Sequence, residues 1–356
     1  MTATKSKKRF IQIGLGGWGG YWVHTVMPRL IRELNLVEAA AVCDINPETF
    51  AGAMHHYGLP AEKCYTDAAK AFAENEADFA VIVTPPWKHA EMIDQALAQG
   101  LDILCEKPIA ANMAECASVY KKVRQAGKKM AVTQSHRFDQ DKQTLERLIK
   151  SGDFGKLGYI VGRNTWDCRD SPKWGAFRYQ MPDVLLIEGT VHHFDIMRAL
   201  TGSNAKTVYA NTWHPEWGDF EGDCQALVTV EMENGVRVFW EGAKANATTL
   251  NGWLKDYWRA ECEHATLELD NRRLRSIKGD LFSNATIEEI PLDTREVWMN
   301  PWLAERFVGW LNGGEPPATQ IEDNIQCAAL TFAAVESAHT GAVVKVQEFL
   351  RESLAL

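Results

Sequence analysis

A glycine-rich turn, Gly14-Leu15-Gly16-Gly17-Trp18-Gly19, follows the apolar run Phe10–Ile13 and opens a helix-like stretch. Glycines at this spacing constrain the fold more than any other segment. They suit a tight turn, a close approach of backbone to a pyrophosphate, and close packing of helix on strand. Alone the pattern is weak. It gains weight from Asp44, which ends the next apolar run Ala39–Cys43, and from Glu106-Lys107-Pro108, which ends the later run Ile103–Cys105. An acid at the second strand end can accept the ribose hydroxyls of an adenosine, and a lysine at a later strand end sets an ammonium at the same edge. The three features together describe a nucleotide site with a catalytic ammonium beside it.

Periodicity extends this reading along the chain. The runs Phe10–Ile13, Ala39–Cys43, Ala80–Val83, Ile103–Cys105 and Met130–Thr133 are short and β-rich, whereas Lys88–Gln99 and Met113–Ala126 repeat with helical spacing. Alternation of this kind predicts parallel βαβ units with right-handed crossovers. Pro28 should kink or split the first helix, because it removes a ladder donor. Beyond His136 the rhythm changes to a helix over Asp139–Lys150, a strand over Tyr159–Thr165, a helix near Val191–Leu200, and strands including Ala226–Met232 and Val236–Trp240. Asn234-Gly235 between the last two is a type I′ hairpin signal. Further strands at Trp258–Cys262 and Thr266–Leu269 and helices at Pro301–Leu311 and Ile321–His339 complete the pattern. The predicted fold is α/β: a doubly wound parallel sheet over residues 1–135, then an α+β domain with a mostly antiparallel sheet over 136–356.

A chain of 356 residues exceeds what one hydrophobic core usually supports, so two domains agree with its length. A net charge of -9 argues against a nucleic-acid surface, and the short basic stretch Lys5 to Arg9 does not offset it. The sequence shows neither an apolar run long enough to span a membrane nor a signal-peptide pattern, so a cytoplasmic location is expected. Its eight cysteines lack C-x-x-C or zinc spacing, and neither disulfides nor a metal are expected.

The cofactor residues follow from position. Gly14, Gly16, Gly17, Trp18 and Gly19 form the loop, and Asp44 would repel a 2′-phosphate, with no arginine in Ile45-Asn46 to receive one. NAD is therefore expected over NADP. Thr84-Pro85-Pro86 leaves the fourth strand extended and poor in amide donors, suited to lie against a flat ring or ribose. Trp87 and His89 begin the next helix, where His89 either reaches the cofactor or caps the helix.

These segments, with Leu104-Cys105-Glu106-Lys107-Pro108-Ile109, His192-His193-Phe194-Asp195 before a Leu-x-Gly helix end, Gly313-Gly314-Glu315-Pro316-Pro317 and Glu336-Ser337-Ala338, resemble the Gfo/Idh/MocA oxidoreductase family over nearly the whole chain. The resemblance implies a Rossmann domain, a C-terminal domain whose open sheet serves oligomer contacts, and NAD(P)-dependent oxidation or reduction of sugars, cyclitols or related polyols. It gives Lys107 a place beside nicotinamide and substrate hydroxyl, with Glu106 as a neighbour that orients it or bonds backbone. The family pattern Asp-x-Gly-x-His-x-x-Asp becomes Glu188-Gly189-Thr190-Val191-His192-His193-Phe194-Asp195 here. His192 and Asp195 match, whereas Glu188 and Thr190 depart. His192 is thus the candidate acid/base and Glu188 its neighbour in substrate binding or proton relay. His193 points about 100° away from His192 on a helix and either touches substrate or packs. The His-His-x-Asp spacing does not converge on a metal.

The segment after Tyr159–Thr165 holds Trp166, Asp167, Arg169, Lys173, Trp174, Arg178 and Tyr179, aromatics beside hydrogen-bonding groups that suit polyols. Trp166 and Arg169 are its leading substrate-binding candidates, while Arg163, Arg169 and Arg178 suit an acidic substituent. His136-Arg137 is a further candidate pair. Three functions are consistent with these residues: an NAD-dependent sugar or cyclitol dehydrogenase, a redox-neutral NAD-assisted glycoside cleavage, and a noncatalytic NAD-binding sensor. A homo-oligomer, dimer or tetramer, is expected, with a small carbohydrate or cyclitol as the substrate.

Overall fold

The structure is a computed structural model that describes residues 7–170 and 175–355. Lys5, Lys173 and Trp174 lie outside the described residues. The chain divides into two compact units, the first comprising residues up to Ser135 together with Val297–Ile325, the second His136–Glu296 with Gln326–Ala355. Residues 297–325, counted above with the second domain, thus belong to the first unit.

In the first unit, strands Lys8–Ile13 (β1), Val37–Cys43 (β2), Cys64–Tyr65 (β3), Phe79–Ile82 (β4), Asp102–Cys105 (β5) and Met130–Val132 (β6) form a parallel sheet in the order β3-β2-β1-β4-β5-β6. Its central strand β4 is buried along its whole length, as a sheet covered on both faces requires. The strand order reverses between β1 and β4, which is where ligands bind in such sheets, beyond the carboxyl ends of the strands. The expected split at Pro28 is absent, since Met27 and Pro28 both keep right-handed helical backbone and the first helix continues through them. It runs as an α-turn at Trp18–Tyr21 and widens into π-turns at Trp22–Val26 and Arg29–Glu33. The helix Met299–Leu311 supplies Ala304, Phe307 and Val308 to the core around Phe10, Trp22, Leu30 and Phe79.

The second unit is built on nine strands: Leu157–Thr165 (β7), Ala205–Trp213 (β8), Gln225–Met232 (β9), Arg237–Ala243 (β10), Tyr257–Cys262 (β11), Thr266–Asp270 (β12), Arg273–Lys278 (β13), Thr286–Ile290 (β14) and Val344–Lys345 (β15). Their order is β14-β13-β12-β11-β7-β10-β9-β8-β15, antiparallel throughout except for β7 beside β10. Gly162 in β7 lies opposite both Trp240 and Trp258, and a Cβ there would come within 2.6 Å of Trp258 and 2.7 Å of Trp240. Its missing side chain lets the two indoles stack at 5.2 Å on the inner face. The outer face carries Tyr159, Tyr209, Leu227 and Phe239, all substantially exposed.

The hairpin joining β9 and β10 departs from expectation. Gly235 has a φ of +87° but Asn234 is not left-handed, so the turn is not type I′. Gly235 N–H donates to Met232 O at 2.9 Å and Met232 N–H to Val236 O at 2.8 Å, the pattern of a type I turn followed by a glycine bulge. Asn234 is held in this form by its side chain, which donates to Thr201 O and accepts from Val236 N–H. Among the described residues, no helix is long and apolar enough to cross a membrane.

Candidate functional site

The first unit gathers the predicted cofactor residues at the carboxyl edge of β1, β2, β4 and β5. Gly14 has a φ of +91°, and a Cβ on it would stand 2.3 Å from Val83 O; at Gly19 a Cβ would stand 2.5 Å from Gly14 O. The loop therefore presses against β4 and against its own first residue, which only glycine permits. Asp44 Oδ2 accepts from the Leu15 and Gly16 amides at 2.7 and 3.1 Å, while its Oδ1 accepts from Asn46 N–H at 2.8 Å. A carboxylate has about four lone-pair sites, so roughly one remains for a ribose hydroxyl. The Thr84 hydroxyl, at the end of β4, is buried with no partner in the protein. A glycine cradle without room for a Cβ, a partly available acid and an orphaned hydroxyl on one strand edge fit a dinucleotide.

Glu106 has a more specific role than the sequence suggested. Its Oε1 accepts from the indole N–H groups of Trp18 at 2.8 Å and Trp22 at 2.9 Å, and its Oε2 from the Lys107 amide at 3.2 Å. Glu106 is only 6% exposed, so this carboxylate locks the start of the glycine-loop helix to the turn that carries Lys107. Trp18, expected at the cofactor, also stacks on Tyr21 at 4.6 Å, and burial followed by the Glu106 charge raises the Tyr21 phenol above its ordinary pKa.

The His89 ring is fully buried, with Nδ1 2.8 Å from Pro108 O and Nε2 2.8 Å from Thr84 O. A neutral imidazole donates to only one of these carbonyls at a time, so His89 bridges the loops after β4 and β5 through one N–H that either carbonyl can accept. Burial lowers its pKa, against the pull of the two carbonyls toward the charged ring. Pro85 is exposed on the neighbouring loop.

The second unit holds a separate cluster around the helix Val191–Thr201. His192 is 6% exposed and meets the Trp253 ring at 4.9 Å, inclined by 66°. Trp253 also meets His136 at 4.2 Å and Trp166 at 6.4 Å. His192 and Trp166, predicted from widely separated segments, are thereby brought to one wall. Asp195 accepts from Arg137 at 3.1 Å and fastens the helix to the turn that follows the first unit.

Glu188 occupies the π-turn Leu185–Thr190 before that helix. Its Oε1 accepts from Arg178 Nε at 2.9 Å and its Oε2 from Lys244 Nζ at 3.3 Å. Gly189 makes the second contact possible, since a Cβ there would sit 3.1 Å from Lys244 Nζ. With both oxygens committed to cations, Glu188 suits a positioning role better than the proton relay expected of it. Arg169 is paired within its own segment. Its guanidinium forks onto Asp167 at 2.8 and 2.9 Å, so the pair is satisfied locally. Arg163 lies over Tyr257 on the outer sheet face, and Tyr179 stacks on Phe220 at 4.8 Å as a packing residue.

His193 resolves to the packing alternative. It stacks on Trp240 at 4.2 Å and its Nε2 lies 3.5 Å from Asp256 Oδ1. Asp256 is fully buried, with His136 Nε2 2.9 Å and Lys142 Nζ 3.1 Å from its Oδ2. The His136 approach is too poorly aligned for a hydrogen bond. Burial drives the His193 pKa down to about 4. Burial alone would raise the Asp256 carboxyl, but His136 and Lys142 overcome it and hold it well below the usual carboxylate range. Lys142 is raised because Asp256, Asp141 and Asp139 outweigh its burial.

His136, His193 and Asp256 bring three ligand-type atoms within 4.8 Å of one another. No local spacing could have shown this, because they come from three segments. The Lys142 ammonium already answers the shared carboxylate. A divalent ion bonded to Asp256 Oδ2 would face it across roughly 4 Å, a repulsion on the order of 8 kcal/mol at an effective dielectric of about 20. The arrangement works as a buried ion cluster.

Asn164, Lys244, Asn251, Trp253 and Asp256 are the members that sequence reasoning missed. None sits in a motif, and only the Asn251-Gly252 turn before Trp253 offered a local signal.

Residues 9–134 match the oxidoreductase family with NAD-binding Rossmann fold, and residues 143–267 match the GFO/IDH/MocA C-terminal domain. An uncharacterized protein of Sinorhizobium fredii, y4oX, is 40% identical over 349 residues, covering 96% of this chain and 97% of its own. A D-apiose dehydrogenase of Paraburkholderia graminis is 24% identical, covering 91% of this chain and 87% of its own. An oxidoreductase from Agrobacterium radiobacter, solved in complex with NAD+, L-tartaric acid and magnesium, has the same fold at a TM-score of 0.82 and 20% identity, covering 96% and 99% of the two chains.

Proposed function

Because this chain belongs to the Gfo/Idh/MocA oxidoreductase family, we propose that it is an NAD-dependent dehydrogenase of a sugar, sugar derivative or cyclitol, with hydride passing between the nicotinamide and a hydroxyl-bearing carbon. The observation that carries this reading is the placement of Lys107. It follows β5 at the same carboxyl edge where Gly14 follows β1 and Thr84 follows β4, and Glu106 fixes its turn through two indoles.

Bound NAD+ supplies the hydride acceptor. The protein must then manage the substrate oxygen, whose proton leaves as its carbon is oxidised. The Lys107 ammonium offsets charge developing on that oxygen. A neutral His192 imidazole accepts the hydroxyl proton and, as imidazolium, returns it in the reverse direction. Glu188 positions Arg178 and Lys244, and the two cations suit a substrate with an acidic or hydrogen-bond-accepting substituent. Assembly as a homo-oligomer is proposed through the outer sheet face, where Tyr159, Tyr209, Leu227 and Phe239 would be withdrawn from water against a second copy.

The test is NADH formation over a panel of cyclitols, aldoses, sugar acids and aryl glycosides, with released aglycone followed in parallel. Net NADH is expected, whereas aglycone release without it would indicate redox-neutral cleavage. Lys107→Ala should fold and bind NAD+ yet lose about 10²-fold or more in turnover, as when one charge-stabilising donor is removed. Turnover surviving within a few-fold would take Lys107 out of the chemistry.

A further inference from the structure

We propose that Trp253 is a substrate-contacting specificity residue, forming with Trp166 an aromatic subsite beside His192 that selects ring-closed polyols over open-chain ones. The proposal rests on the reading of His192 as the group that handles the substrate hydroxyl.

The turn that carries Trp253 is pinned at both ends by buried polar groups. At one end Asn251, 1% exposed, accepts from Asn164 Nδ2 through its carbonyl at 2.9 Å and from Arg163 Nε through its side chain at 2.8 Å. Its own amide donates to Asp270 at 2.9 Å and to Lys255 O at 3.1 Å. At the other end Asp256 is the fully buried centre of the ion cluster and also accepts from Asn164 Nδ2 at 2.9 Å. Between them Leu254 holds a φ of +65°, a left-handed conformation that a branched side chain rarely adopts. Such a backbone persists only where its surroundings over-determine it, and it is found preferentially at ligand sites.

What all this holds in place is a half-buried indole. Trp253 sits with its ring 4.9 Å from His192 and 6.4 Å from Trp166, itself half-buried and held by a bond from its Nε1 to Asn164 Oδ1 at 2.6 Å. Asn164 therefore serves both indoles: its oxygen fixes Trp166 and its amide fixes both ends of the turn bearing Trp253. A core tryptophan needs no such apparatus, as Trp240 and Trp258 show by simply stacking in the sheet interior. Two neighbouring indoles, inclined to each other by 49° next to an acid/base candidate, offer an angled apolar surface with a directional group at its edge. A pyranose or cyclitol matches this with a face of C–H groups and hydroxyls around its rim, whereas an open-chain polyol must lose chain freedom to present the same face.

The experiment compares wild type, Trp253→Ala and Trp253→Phe, measuring kcat/KM for myo-inositol, D-glucose and D-glucuronate against D-sorbitol, with NAD+ affinity and circular dichroism as controls. Binding of the same four compounds to the NADH-loaded proteins is measured by calorimetry. Trp253→Ala should lower the cyclic-to-acyclic preference about tenfold through loss of ring binding, Trp253→Phe should keep most of it, and NAD+ affinity should not move. An unchanged preference, or a loss equal for cyclic and acyclic compounds, overturns the proposal. If wild type turns over none of the compounds, the dehydrogenase reading fails for them, and calorimetry still decides the subsite. Ring binding that Trp253→Ala weakens supports it, and ring binding that is absent in wild type or indifferent to Trp253 refutes it.

Discussion

Replacing His193 should change how stability depends on pH more than it changes stability at neutrality. In the fold His193 is 1% exposed, stacked on Trp240 and set against Asp256, and burial brings its pKa down to about 4. An unfolded histidine titrates near 6.5. The unfolded chain therefore binds the proton first as pH falls. The stabilisation from a neutral His193 is complete above about 6.5 and is lost as pH drops through about 4. At about 1.4 kcal/mol per pH unit, that interval removes about 3 kcal/mol. In the fold Asp256 stays ionised across the window, because its pKa lies well below the usual range, and the proton its unfolded form takes up near pH 4 is common to both proteins. The perturbation is His193→Asn, which retains a polar group but cannot titrate. Urea unfolding at a series of pH values gives the wild-type stability minus that of the variant, in which the other histidines cancel. Loss of the Trp240 stacking contributes a constant offset, while the difference itself should shrink by about 3 kcal/mol from pH 6.5 to 4. A difference that stays flat, or widens on acidification, would refute the reasoning and imply that Asp256 keeps His193 charged.

Asp44 should make NAD(H) bind more tightly than NADP(H) in fluorescence titrations. Because it also accepts from the Leu15 and Gly16 amides, Asp44→Ala should weaken both cofactors by disordering the loop instead of merely reversing the preference; a clean switch to NADP would contradict this. Glu106→Ala leaves the Trp22 indole N–H buried without its acceptor, whereas Trp18, at 44% exposure, can turn to water. The expected loss is about 1–3 kcal/mol of stability in the first unit, with Glu106→Gln losing less, and equal losses would show that the indoles do not depend on this carboxylate.

The first unit was largely legible in the sequence because its signals are local. Glycine spacing, an acid at one strand end and a lysine at another each occupy a few consecutive residues, and the parallel strands are apolar runs that need no partner to be recognised. The burial of His89 was not legible, because the two carbonyls beside it, Thr84 O and Pro108 O, belong to different loops. The second unit was legible as strands and helices but not as a site. Glu188 stands at a motif position where Asp is usual, yet its partners Arg178 and Lys244 come from other segments and change what it can do. Trp253 and Asp256 matter through burial and through Asn164, which no periodicity encodes. The hairpin at Asn234-Gly235 formed as expected, but its turn type differs for a similar reason, since a side-chain bond to Thr201 holds Asn234 out of the left-handed region.

The return of residues 297–325 to the first unit bears on how the protein is made. When the ribosome has released the first 135 residues, every strand of the parallel sheet exists, but the side chains of Ala304, Phe307 and Val308 do not. Phe79, which meets Phe307 at 5.6 Å, then faces an unfilled slot beside Trp22 and Leu30. Thr319 O, which accepts from Val132 N–H at 2.9 Å, is missing as well, and so is the Trp310 carbonyl that accepts from Lys129 at 2.6 Å. The nascent nucleotide-binding half thus waits, with an apolar groove and a bare sheet margin open to water, until the whole intervening sheet domain has been synthesised. Its completion awaits residues 297–325, and a fragment cut after Ser135 would carry that unfinished surface permanently.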